Sequence, residues 1–203
     1  MIEEAVSAIE AGRPVVLPTD TVYGLCADAS NEQAAREVYR LKGRAAGQPT
    51  ALLAADVDRL LERLPELRGP LETALRALLP GQLTLVLPNP AHRYPWLAGA
   101  RRDTIGVRVP ELEGPAAAVL DRVGAVLATS ANLRDGPDPR RLDEVPEEIR
   151  AGCAALVDGG ELPGTPSTVL DLAGPEPRVI REGAVPRAEA IERALAATRG
   201  SRE

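Results

Sequence analysis

The chain has 203 residues, 44% of them hydrophobic, which suits one domain with a core of Leu, Val, Ile and Ala. A net charge of −6 and an aromatic content of 2%, with no Phe, argue against broad nucleic-acid binding through a basic surface or stacked bases. One histidine and two cysteines without metal-ligand spacing argue against a His-based metal cluster and a Ser-His-Asp triad. No apolar run approaches the ~18 residues of a membrane span, and the first residues form an acidic amphipathic segment rather than a signal peptide. The expectation is a soluble, cytoplasmic protein with reduced, buried Cys26 and Cys153.

In chain order, Ile2, Val6 and Ile9 share one helical face that Gly12 ends. Val15-Val16-Leu17 reads as a buried strand, followed by the small polar stretch Thr19-Asp20-Thr21-Val22-Tyr23-Gly24. Ser30 with Gln33 reads as a capping box for a helix carrying Ala34, Val38 and Leu41. Residues 50–54 read as a strand, and Asp56 caps a helix with Leu60, Leu61 and Leu64. A helix with Leu71, Leu75, Leu78 and Leu79 is broken by Pro80-Gly81, and Leu83 to Leu87 is a strand. Thr104 to Val109 is a strand with Val107 and Val109 facing away from Arg108, and Pro115 to Val123 is a helix. A strand over 125–128 ends in Thr129-Ser130-Ala131-Asn132, and 133–146 is a surface loop. A short helix near Glu147 and a strand over 154–157 follow. Ser167 to Leu172 and Arg178 to Arg181 pair as a hairpin, and a helix with Ile191 and Leu195 closes the chain.

This alternation predicts an α/β fold: a twisted, open, mainly parallel sheet with flanking helices, forming a single domain over 1–203. In such sheets the ligand site lies outside the carboxyl ends of the strands. Three polar clusters, at Thr19 to Thr21, Ser130 to Asn132 and Ser167-Thr168, stand beside strand ends and could converge there. Lys42 is the single lysine against 23 arginines, and with Arg44 it straddles Gly43 where a helix gives way to a loop. Two readings stay open: cations that complement a helix C-terminus, or cations placed for phosphate oxygens. Gly159 to Gly164 has the first spacing of a P-loop, but Thr165-Pro166 stands where Lys-Ser/Thr is required. The remaining inventory of Lys42, Arg44 and Arg181 with small hydroxyl and amide donors suits an anionic ligand such as a nucleoside triphosphate.

The ordered set Pro18-Thr19-Asp20-Thr21-Val22-Tyr23-Gly24-Leu25, Lys42-Gly43-Arg44, Leu79-Pro80-Gly81-Gln82-Leu83-Thr84, Val107-Arg108-Val109-Pro110, Thr129-Ser130-Ala131-Asn132, Ser167-Thr168-Val169 and Ile180-Arg181-Glu182-Gly183 resembles the YrdC-type family. Its members are threonylcarbamoyl-adenylate synthases, and the match corresponds to the short, single-domain form. The resemblance implies that L-threonine, bicarbonate and ATP give threonylcarbamoyl-adenylate and pyrophosphate, with Mg2+ carried mainly by the ATP phosphates and no protein metal site. The product would feed tRNA threonylcarbamoyladenosine modification by downstream transfer proteins. By motif, the resemblance makes Lys42 and Arg44 the catalytic, phosphate-binding pair and adds Ser130, Asn132, Ser167 and Arg181 as ATP contacts. It places Thr21 and Tyr23 in the threonine pocket, and the hydroxyls of Thr19, Thr21, Thr129 and Ser130 are expected as partners of threonine. The sequence departs from the family pattern at Ala45, at Pro49-Thr50 and at Pro166.

Two rival readings remain at this level. One is a related carbamoyl-adenylate-forming module, and the other an RNA-binding or ribosome-assembly factor using a local basic groove. Direct nucleic-acid binding is expected to be weak.

Overall fold

The computed structural model describes residues 1–43 and 48–199. Its elements in order are α1 (Ile2–Glu10), β1 (Val15–Leu17), β2 (Gly24–Asp28), α2 (Glu32–Leu41), β3 (Ala51–Ala54), α3 (Val57–Arg63), α4 (Pro70–Leu78) and β4 (Leu83–Pro88). There follow β5 (Thr104–Arg108), α5 (Gly114–Val123), β6 (Ala125–Ser130), α6 (Glu147–Gly152), β7 (Ala155–Leu156), β8 (Thr168–Asp171), β9 (Arg178–Arg181) and α7 (Arg187–Arg199). The nine strands form one sheet in the order β7-β1-β2-β6-β3-β5-β4-β8-β9.

The α/β architecture with flanking helices is as expected, but the sheet is mixed rather than mainly parallel. Only β1–β7, β3–β5 and β4–β8 pair in parallel, while β1–β2, β2–β6, β3–β6, β4–β5 and β8–β9 are antiparallel. The reason lies in what the crossovers skip. The β2–α2–β3 unit does give two strands of the same direction, but β6 runs antiparallel between them and pairs with both. Helix–strand alternation fixes the direction of a crossover, not the identity of the neighbour.

Local differences have similar causes. Strand β2 was not expected, because Gly-Leu-Cys-Ala-Asp contains no β-branched residue. It forms because Leu25 and Ala27 bury on one face and Cys26 on the other. The cap of α2 is Asn31 rather than Ser30: its side-chain oxygen accepts from the backbone N–H of Gln33 at 2.9 Å and of Ala34 at 3.2 Å. Asp56 caps α3 as expected, accepting from Arg59 N at 2.6 Å. Within 133–146, Val145 is buried, so that stretch is not wholly a surface loop. Helix α7 packs through Ala190, Ala194 and Ala197, and Leu195 stays exposed. Neither cysteine forms a disulfide; Cys26 is buried and Cys153 partly so.

The sheet's two faces differ in cover. The first packs Leu25, Leu52, Leu83, Leu85, Leu87, Ile105, Val107 and Leu127 against α2, α3, α4 and α7. The second packs Val15, Leu17, Cys26 and Val126 against Val6 and Ile9 of α1 and Val119 and Leu120 of α5. That cover stops near β3. Beyond it the second face forms the floor of a cavity.

Candidate functional site

The cavity has a volume of about 550 Å³ and lies over the face of the sheet, not outside its strand ends. The expected position was tied to parallel sheets, in which helices cover both faces. Here the antiparallel strands leave half of one face uncovered. The floor follows from register. Ala51 pairs with Ala128 on one side and Gly106 on the other, and Gly106 with Val86, so small side chains line a shallow trough. A second row is polar at intervals. Leu53 pairs with Arg108, and continuing the register one residue past Leu85–Val107 brings Thr84 beside Arg108. Thr84 then pairs with Val169, and Val169 with Arg181.

Arg108 is the centre of the site's electrostatics. It lines the cavity at 8% exposure, donates to Asp20 Oδ1 and to Thr21 Oγ1 (2.8 Å), and its buried Nε has no partner. Burial pulls the guanidinium below its ordinary range, the Asp20 charge opposes this, and nearby Arg181 adds to it. Burial likewise raises the Asp20 carboxyl, against the pull of Arg108. On both partners desolvation is the leading influence, opposed on each by the other's charge. The result is a desolvated cation at a cavity wall, a position that favours an anionic ligand.

The loop between β1 and β2 holds that cation. The Thr19 hydroxyl donates to Val22 O at 2.7 Å, so in its 3.0 Å contact with Thr21 the proton comes from Thr21. Thr21 Oγ1 thus donates to Thr19 and accepts from Arg108, and it is fully buried. Of the residues expected around a small ligand, Thr19, Thr129 and Ser130 line the cavity, whereas Thr21 and Tyr23 stand behind it. Tyr23 Oη reaches Asp158 Oδ1 at 3.0 Å and Gly160 O at 2.8 Å and accepts from Gly159 N at 3.0 Å. Burial, first of all, pushes its phenol up to about 12. Tyr23 pins the segment over 158–160 to the site.

Lys42 sits at the C-cap of α2 but is 1% exposed, so it is no solvated helix-end cation. Its Nζ donates to Ser130 O, to Asn132 O at 2.9 Å and to Asn132 Oδ1 at 2.6 Å. Ser130 Oγ also donates to Asn132 Oδ1, at 2.7 Å, and Asn132 Nδ2 donates to Gly136 O at 2.6 Å. The structure therefore joins Lys42, Ser130 and Asn132 into one network, in which Ser130 faces the cavity and the other two stand behind it. Arg44 lies outside the described residues. Ser167 and Arg181 both line the cavity on its far side, and Arg181 Nη2 donates to Ser167 O at 2.8 Å. Among the described residues no group of three or more His, Cys, Asp or Glu side chains could hold a metal.

Sequence reasoning missed Arg108, Thr84 and Arg101 as site residues. The signal for Arg108 was available: an arginine inside an apolar strand needs a buried partner, and Asp20 follows another strand. Nothing local marked Thr84 or Arg101.

Comparison with known proteins supports the family resemblance and the fold. The family model for Sua5, YciO and YrdC, described as "Telomere recombination", matches residues 7–183. The chain is 32% identical over 196 residues to the threonylcarbamoyl-AMP synthase of Bacillus subtilis, covering 94% of this chain and 55% of that protein. To the putative threonylcarbamoyl-AMP synthase of Mycobacterium tuberculosis it is 35% identical over 188 residues, covering 91% and 84%. The crystal structure of Pyrococcus abyssi Sua5 complexed with L-threonine superposes with a TM-score of 0.79 at 31% identity, covering 97% of this chain and 57% of that one. The chain thus spans little more than half the length of the Bacillus and Pyrococcus proteins.

Proposed function

The chain belongs to the Sua5, YciO and YrdC family, and from that premise we propose that it is an L-threonylcarbamoyladenylate synthase, a nucleotidyltransferase. Its substrates are L-threonine, bicarbonate and ATP. The observation that carries this reading is the buried Arg108 guanidinium at the wall of a cavity that also presents Arg181. Arg108 offers a desolvated cation for a substrate oxyanion, and Arg181 with the neighbouring hydroxyls offers further donors for a polyphosphate.

The chemistry needs alignment more than it needs a proton carrier. The threonine amine and bicarbonate give an N-carboxylate with loss of water; that carboxylate attacks the α-phosphorus, and pyrophosphate leaves. An anion approaches a polyanion, so charge neutralisation and positioning dominate. Arg44 serves as a phosphate-binding cation, with Ser130, Ser167 and Arg181 as further ATP contacts, while Lys42 and Asn132 act from behind Ser130. In this reading Lys42 holds the Ser130–Asn132 turn in place, which its bonds to both residues support. Thr19, Thr129 and Ser130 meet threonine, and Thr21 and Tyr23 act through Arg108 and the segment over 158–160. Asp20 and Asp171 are engaged by arginines, so magnesium enters on the ATP phosphates rather than on protein ligands. The domain works in the cytoplasm, and its product passes to proteins that threonylcarbamoylate tRNA.

The test is turnover with ATP, L-threonine and bicarbonate, resolving the nucleotide products. Pyrophosphate and an AMP-linked product that require both threonine and bicarbonate are expected. ADP with phosphate, or turnover indifferent to threonine, would overturn the assignment.

A further inference from the structure

On the cavity wall between Arg108 and Arg181 stands a hydroxyl pair that the proposed ligand contacts only half include. Thr84 Oγ1 and Ser167 Oγ are 2.8 Å apart. Both residues line the cavity, and among the described residues neither hydroxyl has another partner. Two hydroxyls carry two protons, and one of these lies in the bond between them. The other is left without a protein acceptor among the described residues. Whichever oxygen donates, the pair presents one O–H, flanked by two guanidinium groups.

The backbone of Ser167 is fixed from several sides. Arg181 holds its carbonyl oxygen, and Thr168 Oγ1 accepts from Gly183 N at 2.9 Å and from Val185 N at 3.1 Å. Gly183 packs so closely on this segment that a Cβ there would lie 2.1 Å from Pro166 O. What remains to be set is the side-chain rotamer of Ser167, and Thr84 sets it from the neighbouring strand. Thr84 is not required for core packing, since Leu83, Leu85 and Leu87 fill the opposite face.

We propose that Thr84 is a further substrate-positioning residue, forming with Ser167 a hydroxyl pair that binds an oxyanion seated between Arg108 and Arg181. The proposal rests on the reading of this cavity as the substrate site and adds a member to it. The oxyanion is either the threonine carboxylate or an ATP phosphate, and the two sources are separated by experiment.

Calorimetric titrations with L-threonine and, separately, with magnesium ATP would be run on wild type, Thr84→Val, Thr84→Ser and Ser167→Ala. Thr84→Val keeps shape and strand propensity while removing the hydroxyl. Its affinity for one of the two ligands should fall about 10- to 100-fold, the loss expected for a hydrogen bond to a charged group. The ligand affected identifies the oxyanion. Thr84→Ser should bind nearly as wild type, and Ser167→Ala should weaken the same ligand as Thr84→Val. A Thr84→Val/Ser167→Ala double variant, titrated alongside, should lose little more than the worse single, because the pair acts as a unit. Unchanged affinities in Thr84→Val, equal damage in Thr84→Ser, or additive losses in the double variant would each overturn the role of Thr84. Wild-type protein that binds neither ligand would instead overturn the reading of the cavity.

Discussion

One face of one sheet serves two purposes in this protein. Toward β7 it carries Val15, Leu17, Cys26 and Val126 beneath α1 and α5, and it is core. Toward β9 it carries Ala51, Gly106, Thr84, Arg108 and Ser130, and it is a cavity. Both halves have the same pleat and the same period of two. They differ in the size and polarity of the outward residues and in whether a helix lies over them. A covered half of large aliphatics stabilises by burial. An open half of small residues and hydroxyls gives up that burial for a shaped polar surface.

The largest expected effect comes from breaking the buried charge at the centre of the open half. Arg108→Met would strand the Asp20 carboxylate without its cation, at a cost of about 3–5 kcal/mol. Adding Asp20→Asn should recover much of that stability, because the penalty is an uncompensated charge. Threonine binding should be lost in both variants. Denaturant melts with ligand titrations read the two effects separately, and a double variant that binds threonine normally would remove Arg108 from the site.

The two halves should also respond oppositely to changes of size. Leu17→Ala in the covered half should cost about 2–5 kcal/mol through a cavity, with ligand affinities unchanged. Gly106→Leu in the open half should abolish ligand binding while the melting temperature holds. Room for its Cβ exists, since the nearest atom is Thr50 O at 3.5 Å, and the rest of the side chain would enter the trough. Calorimetry and thermal melts on the pair test the contrast; Gly106→Leu that binds normally would place the ligand elsewhere.

The smallest effect is a pH dependence confined to the open half. Burial raises the folded-state pKa of Asp20 above its ordinary 3.8. On raising the pH, the unfolded carboxyl ionises first. The stability contributed by Asp20 is therefore fully present below about 3.8 and is lost as pH climbs through the higher folded value. Asp20→Asn lacks that decline. The stability difference between wild type and Asp20→Asn should shrink as pH rises through this window, and a difference that grows would reverse the assigned sign.

Much of the fold could be read residue by residue. The helix faces of Val6 and Ile9, Val38 and Leu41, and Leu75 and Leu78 follow from spacing, and Asp56 announced its helix. The hairpin of β8 and β9 was legible, as were the polar clusters at Thr19, Ser130 and Ser167, all three of which line the cavity. The Asn31 cap and strand β2 were not. Ser30 offers an equally good local cap, and Gly24–Asp28 becomes a strand only when β1 and β6 supply its partners on either side.

By itself the sequence determined which residues share a face, because alternation along a strand and spacing along a helix are set by local backbone geometry. Thr104, Gly106 and Arg108 fall together in this way whatever surrounds them. It also determined the chemical inventory: one lysine, many arginines and hydroxyls at strand ends. Tertiary structure decided which strands are neighbours, where α1 and α5 stop, and that Asp20 meets Arg108 across 88 positions. It also turned Lys42 inward onto Ser130 and Asn132, where its ammonium replaces lost water with protein oxygens. Those outcomes depend on which surfaces dock, and a buried charge finds its partner only when distant segments pack around it.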